Sequence, residues 1–302
     1  MEEHQAIGLH AQIVQNIGRP VHSPVVVEGE YWCHDSQSGE PSMPSNTVAD
    51  RPLVAPLQLH PAEVKFYKQE GYVVLPGFVA ADAVERLREE VFDVLEANGV
   101  PRAGLNVATE SADKLRQCGQ YLKGSLLDEL INGEATKSIA AQLIGGTAYV
   151  YARFTAVKAG GGGGTFHFHQ DNNYTHHDPA LGSINIWVAL VDMTPENGCL
   201  QMIPRSHDHQ WTSHNSDDGD THQQIDVDPM DCKPIRMRAG DAVAFSRWTV
   251  HGSGPNTTDA PRVGYALQYH RDDVKFLDKE SGEWKRLVDT PRWSTGPVDS
   301  LG

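Results

Sequence analysis

The sequence contains few cysteines and no closely spaced pair of them. The four thiols are Cys33, Cys118, Cys199 and Cys232, widely separated along 302 residues. Zinc knuckles and dithiol redox motifs need two cysteines a few residues apart, so this spacing excludes both. We interpret the cysteines as reduced, structural thiols, as is usual in a reducing compartment.

Basic residues are also scarce. The chain has 25 Lys and Arg residues against 40 Asp and Glu residues, a formal charge of −15. Proteins that bind nucleic acids or anionic membranes present a basic face. We therefore predict that the partner is neither a nucleic acid nor a membrane.

Long apolar runs are missing as well. A membrane-spanning helix needs about 20 consecutive apolar residues, and no stretch of this chain approaches that length. The first thirty residues lack the basic prelude and apolar centre of an export signal. We predict a cytoplasmic protein whose oligomeric state the sequence leaves open.

The chain divides into an irregular beginning and a patterned remainder. Residues 1–55 show no sustained periodicity, so we predict an irregular N-terminal arm. Helices are predicted over residues 61–70, with Gly71 as the stop, and over 80–98, 125–131 and 135–143. Short runs rich in β-branched and aromatic residues predict strands at 72–75, 148–157, 184–191, 199–203, 242–245 and 263–269. This order predicts one mainly β domain with flanking helices over residues 56–302.

A metal-binding pair lies in the segment FHFHQD, residues 166–171. His169 and Asp171 are two residues apart, so on a strand both side chains point to the same side. His251, about eighty residues later, is the best placed third ligand. Two histidines and one carboxylate on one face of an ion are typical of non-haem Fe(II) oxygenases. Alone, a His-x-Asp tripeptide is weak evidence for a metal site, because it often arises by chance in a chain with 15 His residues and 40 acidic residues.

Arg262 follows His251 by eleven residues and begins an otherwise apolar run. Alternation places its side chain on the face opposite to Val263 and Tyr265. A cavity-facing arginine needs an anion, preferably a carboxylate that suits its planar fork. If the metal is iron, that anion is the distal carboxylate of 2-oxoglutarate. The alternative is a buried ion pair with a protein carboxylate.

Further ordered motifs are similar to a known family. They read NIWVALVDMTPENGCLQMIPRSH over residues 185–207, RAGDAVAF over 238–245 and HGSGPN over 251–256. Together with the 166–171 segment they resemble the phytanoyl-CoA dioxygenase family of Fe(II)- and 2-oxoglutarate-dependent oxygenases, over roughly residues 60–275. The resemblance implies a double-stranded β-helix (jelly roll, cupin-like) core, with Fe(II), 2-oxoglutarate and O2 as cofactor and cosubstrates.

The resemblance also implies roles for single residues. His169, Asp171 and His251 match the iron ligands, and Arg262 matches the partner of the 2-oxoglutarate C5 carboxylate. The residues expected in or near the cosubstrate pocket are Ser253, Trp187, Gln170 and Lys114. Where the family often has a polar, oxoglutarate-binding side chain, this chain has Ala152, Phe154 and Ala156.

The substrate is not legible in the sequence, and only a lining can be predicted. The expected lining residues are Arg153, His167, Asn172, Asn173, Tyr174, Arg247 and Trp248. Arg153, Arg247 and Trp248 would suit a small anionic or amphipathic metabolite, although a surface salt bridge is an equal interpretation of Arg247. No basic cluster suits the phosphates of an acyl-CoA.

The reaction class follows from Asp171. Halogenating relatives have a small residue in its place, so the carboxylate favours hydroxylation of an unactivated C–H bond of a small molecule. Two alternatives stay open. One is desaturation, epimerisation or ring closure on the same fold, and the other is a metal- and 2-oxoglutarate-binding sensor without turnover.

Overall fold

The computed structural model describes residues 52–105, 117–215, 223–289 and 297–301. The predicted arm, residues 1–55, lies outside these ranges except for its last four residues. Two of those, Leu53 and Val54, are buried, and Val54 forms a β-bridge with Val79. The boundary between arm and domain stays a prediction.

Helices occupy the first part of the described chain, as predicted. They are α1 (Pro61–Glu70), α2 (Val84–Ala97), α3 (Leu126–Asn132) and α4 (Glu134–Ile144). Helix α1 begins after His60, whose ring accepts a hydrogen bond from the Ala62 amide, and ends at Gly71, where φ is 86°. Helix α2 begins at Val84 instead of residue 80, because the Ala83 amide closes a turn onto the Ala80 carbonyl.

Strands dominate the rest of the described chain. They are β1 (Tyr72–Leu75), β2 (Tyr121–Leu122), β3 (Tyr149–Lys158), β4 (Phe166–His169), β5 (His177–Asp178), β6 (Ser183–Ala189), β7 (Leu200–Met202), β8 (His214–Asn215), β9 (Gln223–Gln224), β10 (Lys233–Pro234), β11 (Ala242–Ser246), β12 (His251–Ser253), β13 (Arg262–His270), β14 (Lys275–Leu277), β15 (Trp284–Arg286) and β16 (Pro297–Val298). Each predicted strand is confirmed, with its ends shifted by at most two residues.

Two antiparallel sheets form the body of the domain. The large sheet has the order β1-β11-β6-β13-β3 and the small sheet the order β10-β7-β12-β4. The chain crosses between them repeatedly: β3, β6, β11 and β13 lie in the large sheet, while β4, β7, β10 and β12 lie in the small one. This alternation of eight strands is that of a jelly roll and confirms the predicted double-stranded β-helix.

The large sheet packs differently on its two faces. Alternate residues of β13, among them Val263, Tyr265 and Leu267, join the core that also holds the buried faces of the helices. On the other face, Trp187 and Phe245 pack with Leu200 of the small sheet. The space between the sheets is therefore lined by inward-facing residues of both. Within the described ranges, each helix is too short or too polar to cross a bilayer.

Candidate active site

Three potential metal ligands meet at one end of the space between the sheets. His169 ends β4, Asp171 follows after one residue, and His251 begins β12, directly opposite His169 in the β12–β4 pairing. One ligand atom from each of the three residues lies within 4.8 Å of the others. Both histidines are buried, and their ring centroids are 4.2 Å apart. The fold therefore brings together the ligand set expected from the sequence.

The second ring nitrogen of each histidine is held by a backbone carbonyl. His169 Nδ1 lies 2.8 Å from the His167 carbonyl, and His251 Nδ1 lies 2.9 Å from the Thr249 carbonyl. A carbonyl oxygen only accepts, so Nδ1 carries the proton and Nε2 presents its lone pair. The two Nε2 atoms lie 3.3 Å and 3.8 Å from Asp171 Oδ1. Each imidazole is thus oriented as a metal ligand requires.

Two side-chain amides hold the other oxygen of Asp171. Asn185 Nδ2 donates to Asp171 Oδ2 at 2.7 Å, and Gln268 Nε2 donates to the same atom at 3.3 Å. Asn185 and Gln268 are cross-strand partners in the β6–β13 pairing. Oδ1 is therefore left for a metal. Sequence reasoning missed both amides, although Asn185 lies two residues before Trp187 and Gln268 shares the face of Arg262.

The electrostatics of the site suit a divalent cation. Burial raises the pKa of the Asp171 carboxyl, but the neighbouring His169, His251 and Arg247 outweigh it and hold the pKa below its ordinary range. Burial and the neighbouring His169 lower the pKa of His251 to about 4. At neutral pH the site therefore offers a carboxylate and a neutral imidazole, the donor types that non-haem Fe(II) takes.

Arg262 lies deeper in the same space, fully buried. Its guanidinium stacks over the Trp187 ring, 5.1 Å from the centroid. Nη1 and Nη2 donate to the Gly198 and Ala156 carbonyls at 3.2 Å and 3.4 Å, and Nε has no hydrogen-bond partner among the described residues. In the described part of the chain no Asp or Glu pairs with Arg262, so these residues give no support to the alternative of a buried protein ion pair. A carboxylate from outside the chain fits this position.

Lys158 is a second buried basic residue that sequence reasoning missed. Its Nζ donates to Ser253 Oγ at 2.7 Å, to the Ser253 carbonyl at 3.2 Å and to the Gly254 carbonyl at 2.5 Å. Burial, and then the charge of Arg262, lower the pKa of Lys158 to about 6. The available signal was its place in the sequence: it ends the largely apolar strand β3.

A cavity of about 620 Å³ joins these groups. The metal-ligand residues line it together with Arg262, Ser253 and Trp187. Its walls include Ala152, Phe154 and Ala156, so the position where the family often has a polar side chain is apolar here. Asn185, Gln268, Phe245 and Gln117 are lining residues that the sequence did not single out.

Three of the seven predicted substrate-lining residues border the cavity: Arg153, Tyr174 and Arg247. Arg247 is only 4% exposed, donates to the Asp171 and Thr175 carbonyls at 2.9 Å and 3.3 Å, and lies over the Tyr151 ring. The surface salt bridge considered for Arg247 is therefore wrong.

Several expected neighbours of the cavity lie elsewhere. Gln170 is fully buried, and its amide donates to the Trp248 carbonyl at 2.6 Å and to the His209 carbonyl at 2.9 Å. Its predicted approach to the cosubstrate pocket is wrong, because alternation turns it away from its neighbours His169 and Asp171. Lys114 lies outside the described residues.

The remaining corrections concern the predicted substrate lining. Asn172, Asn173 and Trp248 do not line the cavity. Asn172 instead forms hydrogen bonds to the backbone of His177 through both ends of its amide, Asn173 accepts a hydrogen bond from Gln210, and the Trp248 ring lies against His176. Phe166, and not the predicted His167, lines the cavity at this place. The β12–β4 register shifts between His251 and Ser253, and this shift sets Phe166 opposite Ser253. The lining residues at this place are Phe166 and His169.

The fold and the site define a class of protein. A jelly roll whose inner space holds two imidazoles, a carboxylate and, deeper, an arginine that no carboxylate of the described residues pairs with is the arrangement of a non-haem Fe(II)- and 2-oxoglutarate-dependent oxygenase. Comparison with known proteins agrees. The family model of phytanoyl-CoA dioxygenase matches residues 67–264, and the chain belongs to this family. It is a dioxygenase that uses Fe(II), 2-oxoglutarate and O2.

The sequence identity between this chain and individual relatives is low. The chain is 26% identical to L-proline trans-4-hydroxylase of Streptomyces griseoviridis, over 68% of this chain and 84% of the relative. It is 30% identical to dioxygenase aneA of Aspergillus aculeatus, over 68% of this chain and 71% of the relative. Among solved structures, the non-haem carbocyclase SnoK from nogalamycin biosynthesis superposes with a TM-score of 0.58 at 24% identity, over 72% of this chain and 86% of that one. That last likeness supports the fold.

Proposed function

We propose that this enzyme hydroxylates an unactivated C–H bond of a small-molecule metabolite, with release of succinate and CO2. The observation that carries the proposal is the joint placement of the His169, Asp171 and His251 ligand atoms, within 4.8 Å of one another, beside a buried arginine that pairs with no carboxylate of the described residues. His169, Asp171 and His251 would hold the iron. Bound iron supplies, with 2-oxoglutarate and O2, the oxidising power that no side chain has.

The chain's own residues supply geometry and a dry environment. Asn185 and Gln268 hold one oxygen of Asp171 and leave the other for the metal. Arg262, stacked on Trp187, would fix the distal carboxylate of 2-oxoglutarate through the donors that face the cavity. The apolar wall of Ala152, Phe154 and Ala156 keeps water away from the cosubstrate. Asp171 supports oxygenation over halogenation because its carboxylate fills the position a halide would take.

The cavity also supports a small substrate with a polar or anionic group. Its volume of about 620 Å³ must hold both 2-oxoglutarate and the substrate. Arg153 and Arg247 border it beside Tyr151 and Tyr174, so cationic and aromatic surface meet there. L-proline trans-4-hydroxylase, a relative, is named for a small amino acid. A cytoplasmic location remains a prediction.

The decisive experiment is a succinate-release assay with iron-loaded protein over a panel of small metabolites, first without and then with O2. We expect one group of related compounds to stimulate release, and the product to gain one oxygen atom by mass spectrometry. A product without added oxygen would instead support desaturation, epimerisation or ring closure. Binding of 2-oxoglutarate without succinate from any compound would support the sensor alternative.

Asp171→Ala tests the ligand assignment in the same assay. We expect it to abolish substrate-dependent succinate release and to lower metal affinity, with unchanged circular dichroism, because the side chain is at the cavity surface and not in the apolar core. Asp82→Ala removes an exposed carboxylate just before α2 and is the matched control. Turnover by Asp171→Ala would show that the assignment is wrong.

A further inference from the structure

We propose that Lys158 is a positioning residue for the cosubstrate: it orients the Ser253 hydroxyl and adds a second positive charge for the distal carboxylate of 2-oxoglutarate. The inference rests on the proposed function, since it concerns how that function binds its cosubstrate. Neither the sequence motifs nor the comparisons assign a role to Lys158.

Sheet register places Lys158 beside the arginine of the pocket. Lys158 and Arg262 are directly opposed in the β3–β13 pairing, so their side chains leave the sheet on the same face. Both are at most 1% exposed. Ser253, which receives the Lys158 hydrogen bond, lines the cavity together with Arg262. The three side chains thus form one cluster at the deep end of the cavity.

This cluster is short of negative charge. Among the described residues, neither Lys158 nor Arg262 forms an ion pair with a carboxylate. The acidic group among the described residues that acts on both side chains is the Cys199 thiol, whose pKa is raised by burial, so it is neutral at pH 7. Buried charges without partners are costly. A dianion that places one carboxylate here would give Arg262 its counter-charge and favour the ammonium form of Lys158.

The hydrogen bonds set the direction of the Ser253 hydroxyl. A protonated lysine only donates, and its three donors match the three acceptors around it, Ser253 Oγ and the Ser253 and Gly254 carbonyls. Ser253 Oγ must then accept from Lys158, which leaves its own hydrogen for another acceptor. Because Ser253 lines the cavity, a carboxylate oxygen bound there would accept that hydrogen.

Proton uptake on cosubstrate binding follows from this arrangement. Among the described residues, the groups that face Lys158 are Arg262 on β13, Ser253 on β12 and the Cys199 thiol before β7, and none of them is an anion. With the pKa of Lys158 lowered to about 6, the amine is mostly neutral at pH 7.5 in the free protein. A bound carboxylate favours the ammonium form, so binding takes up a proton.

Calorimetric binding without turnover tests the proposal. We would titrate Mn(II)-loaded protein without O2 with 2-oxoglutarate and, separately, with pyruvate, which has the same keto acid but no distal carboxylate. For Lys158→Met we expect about 10- to 100-fold weaker binding of 2-oxoglutarate, the loss of hydrogen bonds to a charged group, and unchanged binding of pyruvate. Lys158→Gln keeps a donor without the charge and should fall between wild type and Lys158→Met.

The outcomes separate three errors. If the metal-loaded wild type does not bind 2-oxoglutarate, the proposed function is wrong. If it binds and Lys158→Met binds equally well, the role of Lys158 is wrong. Equal losses for 2-oxoglutarate and pyruvate would show a structural role and also overturn the inference. Lys275→Met, at an exposed position of strand β14, is the control for loss of one lysine.

Should neither variant fold, the wild type still decides. Titrations with 2-oxoglutarate at pH 7.5 in buffers of different ionisation enthalpy measure the protons exchanged. Uptake that is present with 2-oxoglutarate and absent with pyruvate supports the proposal. Equal exchange with both ligands, or none, overturns it.

Discussion

Asp171 can serve a metal with one oxygen because Asn185 and Gln268 hold the other. We predict that Asn185→Leu, which removes the 2.7 Å hydrogen bond, lowers metal affinity by about 10- to 100-fold, the usual cost of losing a partner behind a ligand. The measurement is a competitive metal titration. Asn98→Leu removes a comparable amide at the end of α2 and should change nothing. Equal affinity of wild type and Asn185→Leu would mean that Asp171 keeps its orientation without the amide.

The lowered pKa of Lys158 predicts how the stability of the protein depends on pH in the absence of 2-oxoglutarate. Its pKa is about 6 when folded and 10.5 as a free lysine. Between these values the unfolded state binds one proton more than the folded state, so the free energy of unfolding rises with pH. Relative to Lys158→Met, wild type should gain roughly 1.4 kcal/mol per pH unit from pH 7 to pH 9.

Urea unfolding of both proteins at several pH values measures this difference. Using the difference cancels the titration of all other groups. A constant gap between wild type and Lys158→Met would show that Lys158 keeps its proton in the folded state. The same result would then conflict with proton uptake on cosubstrate binding.

Some residues of the site can be predicted from the sequence and others cannot. His169 and Asp171 are neighbours in the chain, and alternation along a strand is enough to place them together. Asn185, Gln268 and Lys158 reach the site only through the register of β6, β13 and β3. Register depends on how whole sheets pair, and no local pattern of residues encodes it.

At the scale of elements, strand β13 serves both layers of the protein. Arg262 and Gln268 face the cavity, while Val263 and Tyr265 face the helices. Gly264, also on the cavity face, leaves room for the Trp187 ring: a Cβ there would lie 2.1 Å from Trp187 Cζ2. The indole ring on which Arg262 stacks therefore needs glycine at position 264.

We predict that Gly264→Ala displaces the Trp187 ring and with it the Arg262 guanidinium. Forcing one extra methyl into a packed position costs about 1–3 kcal/mol of stability, and 2-oxoglutarate should bind more weakly. Near-UV circular dichroism, thermal unfolding and calorimetric titration measure the three effects. Gly104→Ala is the control, because the nearest atom to its added Cβ would be 3.8 Å away. Unchanged binding by Gly264→Ala would mean that the ring moves without disturbing Arg262.

The elements differ in how closely the sequence predicts them. Helix α1 was predicted to the residue because His60 and Gly71 cap it with local hydrogen bonds. Helix α2 was predicted to start four residues early, at residue 80 instead of Val84, because a turn with helix-like spacing precedes it. On β4, strict alternation would place His167 in the cavity, but the register shift beside β12 places Phe166 there. Irregular pairing is a property of two strands and is not visible in one.

At the scale of the molecule, the jelly roll assembles the site from both sheets. Its small sheet provides the histidines on β4 and β12, and its large sheet provides Arg262, Lys158 and the amides that hold Asp171. The cationic end is buried, whereas the chain as a whole carries a formal charge of −15. A dianionic cosubstrate must therefore approach an acidic protein before it reaches buried positive charge.

This contrast predicts an unusual effect of salt on the kinetics of 2-oxoglutarate binding. The Debye length is about 30 Å at 0.01 M salt and about 8 Å at 0.15 M, so salt screens the long-range repulsion and leaves buried contacts nearly unchanged. The association rate constant should rise on the order of two- to fivefold between these concentrations, while the dissociation rate constant stays constant. Stopped-flow fluorescence of Mn(II)-loaded protein without O2 can follow binding, because Trp187 lines the cavity. Pyruvate carries one charge fewer and should respond less. An association rate that falls with salt would show that Arg153 and Arg247, at the cavity wall, attract the anion more strongly than the whole molecule repels it.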